Sequence, residues 1–285
     1  MISIIICSRT QIISNYLFEN IKNTIGCEYE LIVIDNSENQ YSIFEAYNMG
    51  IEQSIGKHLC FIHDDLLIHT IGWGYIINRI FKENNNLGLI GVAGSKLKTK
   101  MPSGYWNCPS EFKEINIIQH LENGKVEKWI YGFKNGTISE VVAIDGVFMV
   151  MKKEFNLFFN EKLKGFHNYD LNISFECKKK GFKIFVTNEV LIEHYSNGEI
   201  NNSWYESTYE VHKIYNRLLP LMTDDVENFN ILSLEYFNGK AFLNPFLNTG
   251  NIIKPIKIWL KLFRIKPMEV FELKYLKSII KFYLK

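Results

Sequence analysis

The chain has 285 residues, enough for one large α/β domain or two smaller units. Hydrophobic residues make up 47% and charged residues 22%, which is a globular composition and excludes a disordered one. The net charge of +1 gives no reason to expect a nucleic-acid partner.

Ile2 to Cys7 is a continuous β-branched run ending in Ser8-Arg9-Thr10, the pattern of a parallel strand buried on both faces. Ile12, Ile13, Tyr16, Leu17 and Ile21 then recur at helical spacing, and Gly26 is set to stop that helix. Leu31 to Ile34 is a second buried strand ending in Asp35-Asn36-Ser37. A helix from about 42 to 55 leads through Gly56 to a third strand, which ends in His63-Asp64-Asp65. A helix over 74–83 and a strand over 87–93 continue the alternation, so right-handed βαβ units and a parallel sheet are expected.

Residues 95–140 change character. Asn123-Gly124 between INIIQHL and KVEKWIYG predicts a hairpin, an excursion from the sheet. Residues 141–151 return to strand with a break at Asp145-Gly146, and Phe148 and Met149 read as core. A helix over 168–180 and a strand over 182–186 follow. From Trp204 onward the chain reads mainly helical.

Polar residues end each of the first three strands. In an open α/β sheet, ligands bind outside the carboxyl ends of the strands, so these groups are expected in one crevice. Two adjacent acids, Asp64 and Asp65, repel each other and need a positive partner. Hard oxygen ligands with an imidazole suit a divalent cation bridging a diphosphate; solvated loop residues are the alternative. Along an extended chain His63 and Asp65 share a side and Asp64 faces away. Asp35 can hydrogen-bond a ribose or base edge, or simply form a turn. Neither GxGxxG nor GxxxxGK[ST] is present. Asp170 opens a helix in HNYDLNISFECKKKG, and His194 follows the next strand in IEHYSNG. Taken separately, these are a helix cap and a surface histidine.

In order along the chain, Asp35, AYNMGIEQSIGKHLCFIHDD, AIDGVFMVMKK, the YDLNISFECKKKG block and HYSNG resemble inverting GT-A glycosyltransferases of the large family-2 type. The resemblance covers residues 1–200. It implies a GT-A fold, with a mostly parallel central sheet flanked by helices, and a nucleotide-diphospho-sugar donor. It also implies a divalent metal, Mn²⁺ or Mg²⁺, and a glycan or lipid-linked glycan acceptor. His63, Asp65 and His194 would hold the metal, with His63 replacing the first acid of the family's DXD motif. Asp170 would be the general base. Ser8, Arg9, Asp35, Asn48, Asp64, Asp145 and Gly146 would bind the nucleotide sugar. The sequence departs from the pattern at Tyr169, where Glu is usual, at Asn172, where a second Asp is common, and at Tyr47, where many relatives carry Arg. A sugar-phosphate nucleotidyltransferase and a non-catalytic nucleotide-sugar or glycan-binding relative are the rival readings. Tyr105, Trp106, Trp129 and Tyr131 are suited to stacking on an acceptor sugar or to packing the hairpin.

Domain limits are expected at 1–203 for the transferase and 204–285 for a helical extension. Residues 252–285 carry nine Lys/Arg against Glu269 and Glu272, a charge of +7 that leaves −6 on the rest. Such a basic, apolar tail suits an anionic membrane surface, and equally suits docking on the body or on a second subunit of a homo-oligomer. Five scattered cysteines without a CxxC pair, no signal-peptide pattern and no uncharged stretch of membrane-spanning length predict a cytoplasmic protein. If the tail binds lipid, it would lie on the inner face of a membrane.

Overall fold

The structure is a computed structural model that describes residues 1–196, 198–226, 229–250, 252–267 and 269–283, with only the backbone of 281–283. Asn197 of the HYSNG block and the basic groups of Lys281 and Lys285 lie outside the described residues.

The chain opens as β1 (Ile2–Ser8), α1 (Asn15–Thr24), β2 (Tyr29–Asp35), α2 (Ile43–Gln53), β3 (His58–Ile62), β4 (Leu66–Ile68), α3 (Trp73–Glu83), β5 (Leu87–Gly91), β6 (Ala93–Ser95) and β7 (Leu97–Lys98). The excursion forms β8 (Lys113–His120) and β9 (Val126–Tyr131), followed by β10 (Ile138–Val141), β11 (Ala143–Ile144), β12 (Phe148–Lys152), α4 (Tyr169–Lys179), β13 (Lys183–Thr187) and β14 (Ile192–His194). α5 (Asn202–Ile214), β15 (Leu221–Met222), α6 (Ile231–Leu247), α7 (Ile253–Ile265) and α8 (Val270–Tyr283) complete it.

A seven-stranded sheet runs β10-β13-β5-β12-β3-β1-β2. β1 pairs in parallel with β2 and β3, and β13 with β5. β12 is antiparallel to both β3 and β5, so it joins two parallel blocks whose strands point the same way. Five of the seven strands therefore share a direction, with β12 and β10 opposed. In the β1–β2 register Ser8 stands opposite Asp35, which brings these strand ends to one edge.

A second sheet, β11-β6-β8-β14-β4 with β9 on β8, lies beyond that edge. The β8–β9 hairpin closes at Asn123-Gly124, where Gly124 takes φ +76° and Leu121 N–H donates to the Lys125 carbonyl. In β14, His194 pairs with Leu66 of β4, and Tyr195 N–H donates to the Asp65 carbonyl at 3.1 Å. That ladder carries His194 to the end of β3.

One expectation fails at α1. Ser14 caps the helix by accepting from Leu17 N–H, so Ile12 lies before it and is 82% exposed, and Tyr16 is 69% exposed. The buried stripe is Leu17, Ile21 and Thr24. The main core runs from Ile2 to Leu219 and includes Phe148 and Met149, while α6, α7 and α8 build a second one around Phe246, Leu262 and Tyr275. One face of α7 and α8 is thus spent on the body, and their outward faces keep Leu260, Val270 and Leu273 exposed. Among the described residues no helix is long and apolar enough to cross a membrane.

Candidate active site

β3 ends at Ile62, and the next three residues turn out of the sheet under the roof made by β14. His63 Nδ1 lies 3.1 Å from His194 Nε2, and His63 Nε2 lies 2.5 Å from the Tyr169 hydroxyl. Asp65 Oδ1 faces both rings, 3.5 Å from His194 Nε2 and 3.8 Å from His63 Nδ1. The far side of His194 is oriented by Gln119, whose Oε1 is 3.1 Å from His194 Nδ1. The Gln119 amide nitrogen donates to the carbonyls of His120 and Ser196, which fixes the oxygen toward the imidazole. His194 therefore carries its proton on Nδ1 and turns the Nε2 lone pair toward Asp65 and His63.

Burial, then the neighbouring His194, hold His63 below the ordinary imidazole value, so the ring is neutral at pH 7. Burial alone would raise Asp65. The polar groups of His194 and Ser196 facing it, and then His63, outweigh burial and keep the carboxyl well below the usual range.

Asp64 faces away from this cluster, and its partner is Arg9 from the end of β1. Arg9 donates through Nη2 to Asp64 Oδ1 at 2.6 Å and through its backbone N–H to Asp64 Oδ2 at 2.9 Å. The same Nη2 is 2.9 Å from Asp65 Oδ2. The two adjacent acids thus have a positive partner within the chain itself.

Across the crevice, α4 begins at Tyr169 after Asn168 in the left-handed region, φ 61°. Asp170 stands in the first turn, accepting from Leu171 N–H at 2.8 Å. Burial and then the charge of Asp145 push its carboxyl up to about 7, against the lowering effect of backbone N–H groups. Asp145 accepts from Val147 N–H at 2.9 Å and from the Tyr105 hydroxyl. Gly146 is a close approach: a Cβ there would meet the Tyr169 hydroxyl and lie 2.5 Å from the ring carbons Cε2 and Cζ. Only glycine lets Tyr169 reach His63.

Two cavities share this wall. One, about 520 Å³, runs from Ser8, Arg9 and Asn36 past Tyr47 to Asp64 and Asp65. The other, about 560 Å³, is lined by Asp145, Gly146 and Asp170 with Tyr105, Trp106 and Trp129, and Tyr131 at its edge. His63, Tyr169, Phe166 and Ser196 belong to both.

Four expected donor ligands stand elsewhere: Asp145 and Gly146 line the second cavity and not the first, and Asp35 and Asn48 line neither. Asp35 Oδ1 turns back on Ser37, accepting from its N–H at 3.0 Å and its hydroxyl at 2.7 Å, so the turn claims the carboxylate. Asn48 is buried, bonded to the Phe159 carbonyl and N–H, each at 2.9 Å, and ties α2 to the loop before α4. Asn172 is also structural, donating to the Tyr215 hydroxyl at 2.6 Å. Tyr47 is buried among Phe61, Phe159 and Tyr169. Sequence reasoning missed Gln119, which carries no local motif, and Ser196, which stands inside the HYSNG block but was given no task there.

The donor set suits a divalent cation. His63, Asp65 and His194 each offer a ligand atom, all within 4.8 Å of one another. Asp65 Oδ1 is buried without a close hydrogen-bond partner, an uncompensated anionic oxygen between two imidazole nitrogens. Two imidazoles and a carboxylate favour manganese-like ions over magnesium, which prefers oxygen alone.

The sequence model of a family described as "Glycosyltransferase like family" matches residues 3–217. No curated protein matches the sequence. Among solved structures, the chain is similar to GalNAc-T7 solved with UDP, GalNAc and Mn²⁺, with TM-score 0.52 and 11% identity over 96% of this chain and 57% of that one. It is also similar to S. aureus TarS 1–349 in complex with UDP-GlcNAc, with TM-score 0.48 and 12% identity over 99% of this chain and 81% of that one. The chain spans only 57% of the length of the GalNAc-T7 chain.

Proposed function

From the premise that the chain belongs to the glycosyltransferase-like family and has a GT-A fold, we propose a metal-dependent inverting transferase. It moves a sugar from a nucleotide-diphospho-sugar to a hydroxyl of a glycan or lipid-linked glycan. The observation that carries this reading is the pair of cavities meeting at His63 and Tyr169, with acids bearing opposite tasks on either side. Asp65 is held ionised on the donor side, while Asp170 on the acceptor side is poised near neutrality.

Each residue has a stated task. Ser8 and Arg9 border the donor cavity, and Arg9 keeps Asp64 and Asp65 compatible. A divalent cation bound by His63, Asp65 and His194 would neutralise charge on the departing diphosphate. Asp170 takes the proton from the acceptor hydroxyl, and a carboxyl near 7 is well matched to that work. Asp145 raises Asp170 by its charge. Trp106, Trp129 and Tyr131 offer flat apolar faces for an acceptor sugar. One base and one leaving group suffice for single displacement, hence inversion. We assign catalysis to residues 1–203 and the helical extension to 204–285, whose Trp204 completes the acceptor cavity.

Incubation of the purified chain with a panel of nucleotide sugars, with and without Mn²⁺, tests the reading. Manganese-dependent release of the nucleoside diphosphate with an inverted anomeric centre by NMR is expected. Failure of every donor to bind or turn over would refute it, and a retained anomer would refute inversion.

A further inference from the structure

A third cavity, about 240 Å³, lies between α5, α7 and the segment after β7, and shares no residue with the two above. Its walls carry Lys100, Lys213, Lys257 and Lys261, together with His212 and Asn216. Lys257 and Lys261 stand one turn apart on α7, a like-charge spacing that costs helix stability.

Acids near this cluster are already engaged. Glu210 pairs with Lys213 at 3.0 Å and also with Lys254 at 2.9 Å. Glu235 spends its oxygens on the backbone N–H groups of Lys100 and Met101, at 2.6 and 2.7 Å. Among the described residues Lys261 reaches the neutral Asn216 Oδ1, at 3.4 Å, and no acid. Its ammonium is held below the ordinary value by the enclosing walls and then by Lys100, with Glu235 only partly offsetting them. Behind His212 lies a further lysine, its ammonium lowered by burial to about 7: Lys98 Nζ is 2.8 Å from His212 Nε2. His212 Nδ1 donates to the Thr208 carbonyl at 2.7 Å, so Nε2 accepts from Lys98.

Of the four ammonium groups around this small concave wall, only Lys213 has an acid partner among the described residues; Lys100, Lys257 and Lys261 are short of negative charge. We propose that this cavity binds the phosphate group of an anionic ligand, presented either by a lipid headgroup or by a soluble phosphate ester. A volume of 240 Å³ accommodates a phosphate and part of its ester, and lysine binds phosphate as a point charge.

The test compares the full chain with Lys257→Met/Lys261→Met, which keeps the aliphatic stems and removes two charges. Calorimetric titration with inorganic pyrophosphate forms one arm. Co-sedimentation with phosphatidylglycerol against phosphatidylcholine vesicles, at low and high salt, forms the other. The double variant leaves the His63 cluster intact, so the difference between the chains reports this cavity whatever binds elsewhere. An affinity loss of at least tenfold is expected in one or both arms. Loss in the vesicle arm identifies the headgroup source, and loss confined to pyrophosphate identifies a soluble one. Relief of like-charge repulsion should leave the melting temperature of the variant no lower than that of the parent. Unchanged binding in both arms overturns the proposal.

Discussion

Asp170→Asn should make the protein more stable and nearly inactive at the same time. In the fold, the carboxyl is pushed from an ordinary 3.8 up to about 7 by burial and Asp145. The folded chain therefore holds this proton more tightly than the unfolded chain does. The resulting stabilisation is complete below pH 4 and is lost as pH rises toward 7. Moving a carboxyl over that range corresponds to about 4 kcal/mol, the cost of ionising Asp170 beside Asp145 in the cleft. Asparagine never ionises, and its oxygen still accepts from Leu171 N–H, so this first-turn hydrogen bond survives. At pH 8 the variant should melt higher by an amount on the order of 8 °C, taking roughly 2 °C per kcal/mol for a chain of this size. At pH 4 the two proteins should melt together. Transfer should fall about 10²–10⁴-fold, and the wild-type kcat/KM should rise with pH through about 7. Scanning calorimetry at the two pH values and single-turnover transfer are the assays. A variant that is less stable at pH 8 and keeps a third of the wild-type rate would show that Asp170 is only a cap.

Asp65→Ala removes the buried oxygen between His63 and His194, so Mn²⁺-enhanced nucleoside-diphosphate (UDP or GDP) binding should vanish while the fold persists; metal-dependent binding unchanged by calorimetry would dismiss this ligand set. Gly146→Ala should drive the Tyr169 ring away from His63, at about 1–3 kcal/mol for overpacking plus about 1 kcal/mol for the lost hydrogen bond. Its metal affinity should drop about 10–100-fold, the usual effect of losing an outer partner of a metal ligand, and a wild-type titration curve would exclude that role.

The sheet was legible because buried parallel strands are written as unbroken runs such as Ile2 to Cys7, and the hairpin because Asn-Gly demands a tight turn. The direction of β12 was not legible: FMVMK is equally apolar parallel or antiparallel, and only its pairing with both β3 and β5 decides. Ile12 and Tyr16 misled because apolar spacing says nothing of what covers it, and Ser14 starts the helix later. Within the site, His63, Asp65, His194 and Asp170 were readable from short motifs at the ends of strands or the start of a helix. Asn48 was not, since an amide two residues before a glycine looks the same whether it meets a phosphate or the Phe159 backbone. The partnership of Arg9 with Asp64 spans 55 residues and exists only once β1 and β3 lie side by side.

Two departures from the pattern that the resemblance implies meet each other at the candidate site. His63 stands in place of an acid and Tyr169 in place of a glutamate, and their side chains touch at 2.5 Å. Acids at both positions, beside Asp65, would bring three carboxylates together and require a cation to hold them. The imidazole and phenol form a neutral pair that the fold tolerates without one. Their shared hydrogen bond also offers a simple rearrangement. With no cation, His63 Nδ1–H can donate to the His194 Nε2 lone pair while the Tyr169 hydroxyl donates to His63 Nε2. To present an Nδ1 lone pair to a metal, His63 must move its proton to Nε2, and Tyr169 can then accept it. Tyr169 thus serves either tautomer, and Gly146 leaves room for the hydroxyl to stay in reach of both. A histidine and a tyrosine at these positions leave the candidate ligand set of His63, Asp65 and His194 together with fewer like charges than acids would bring.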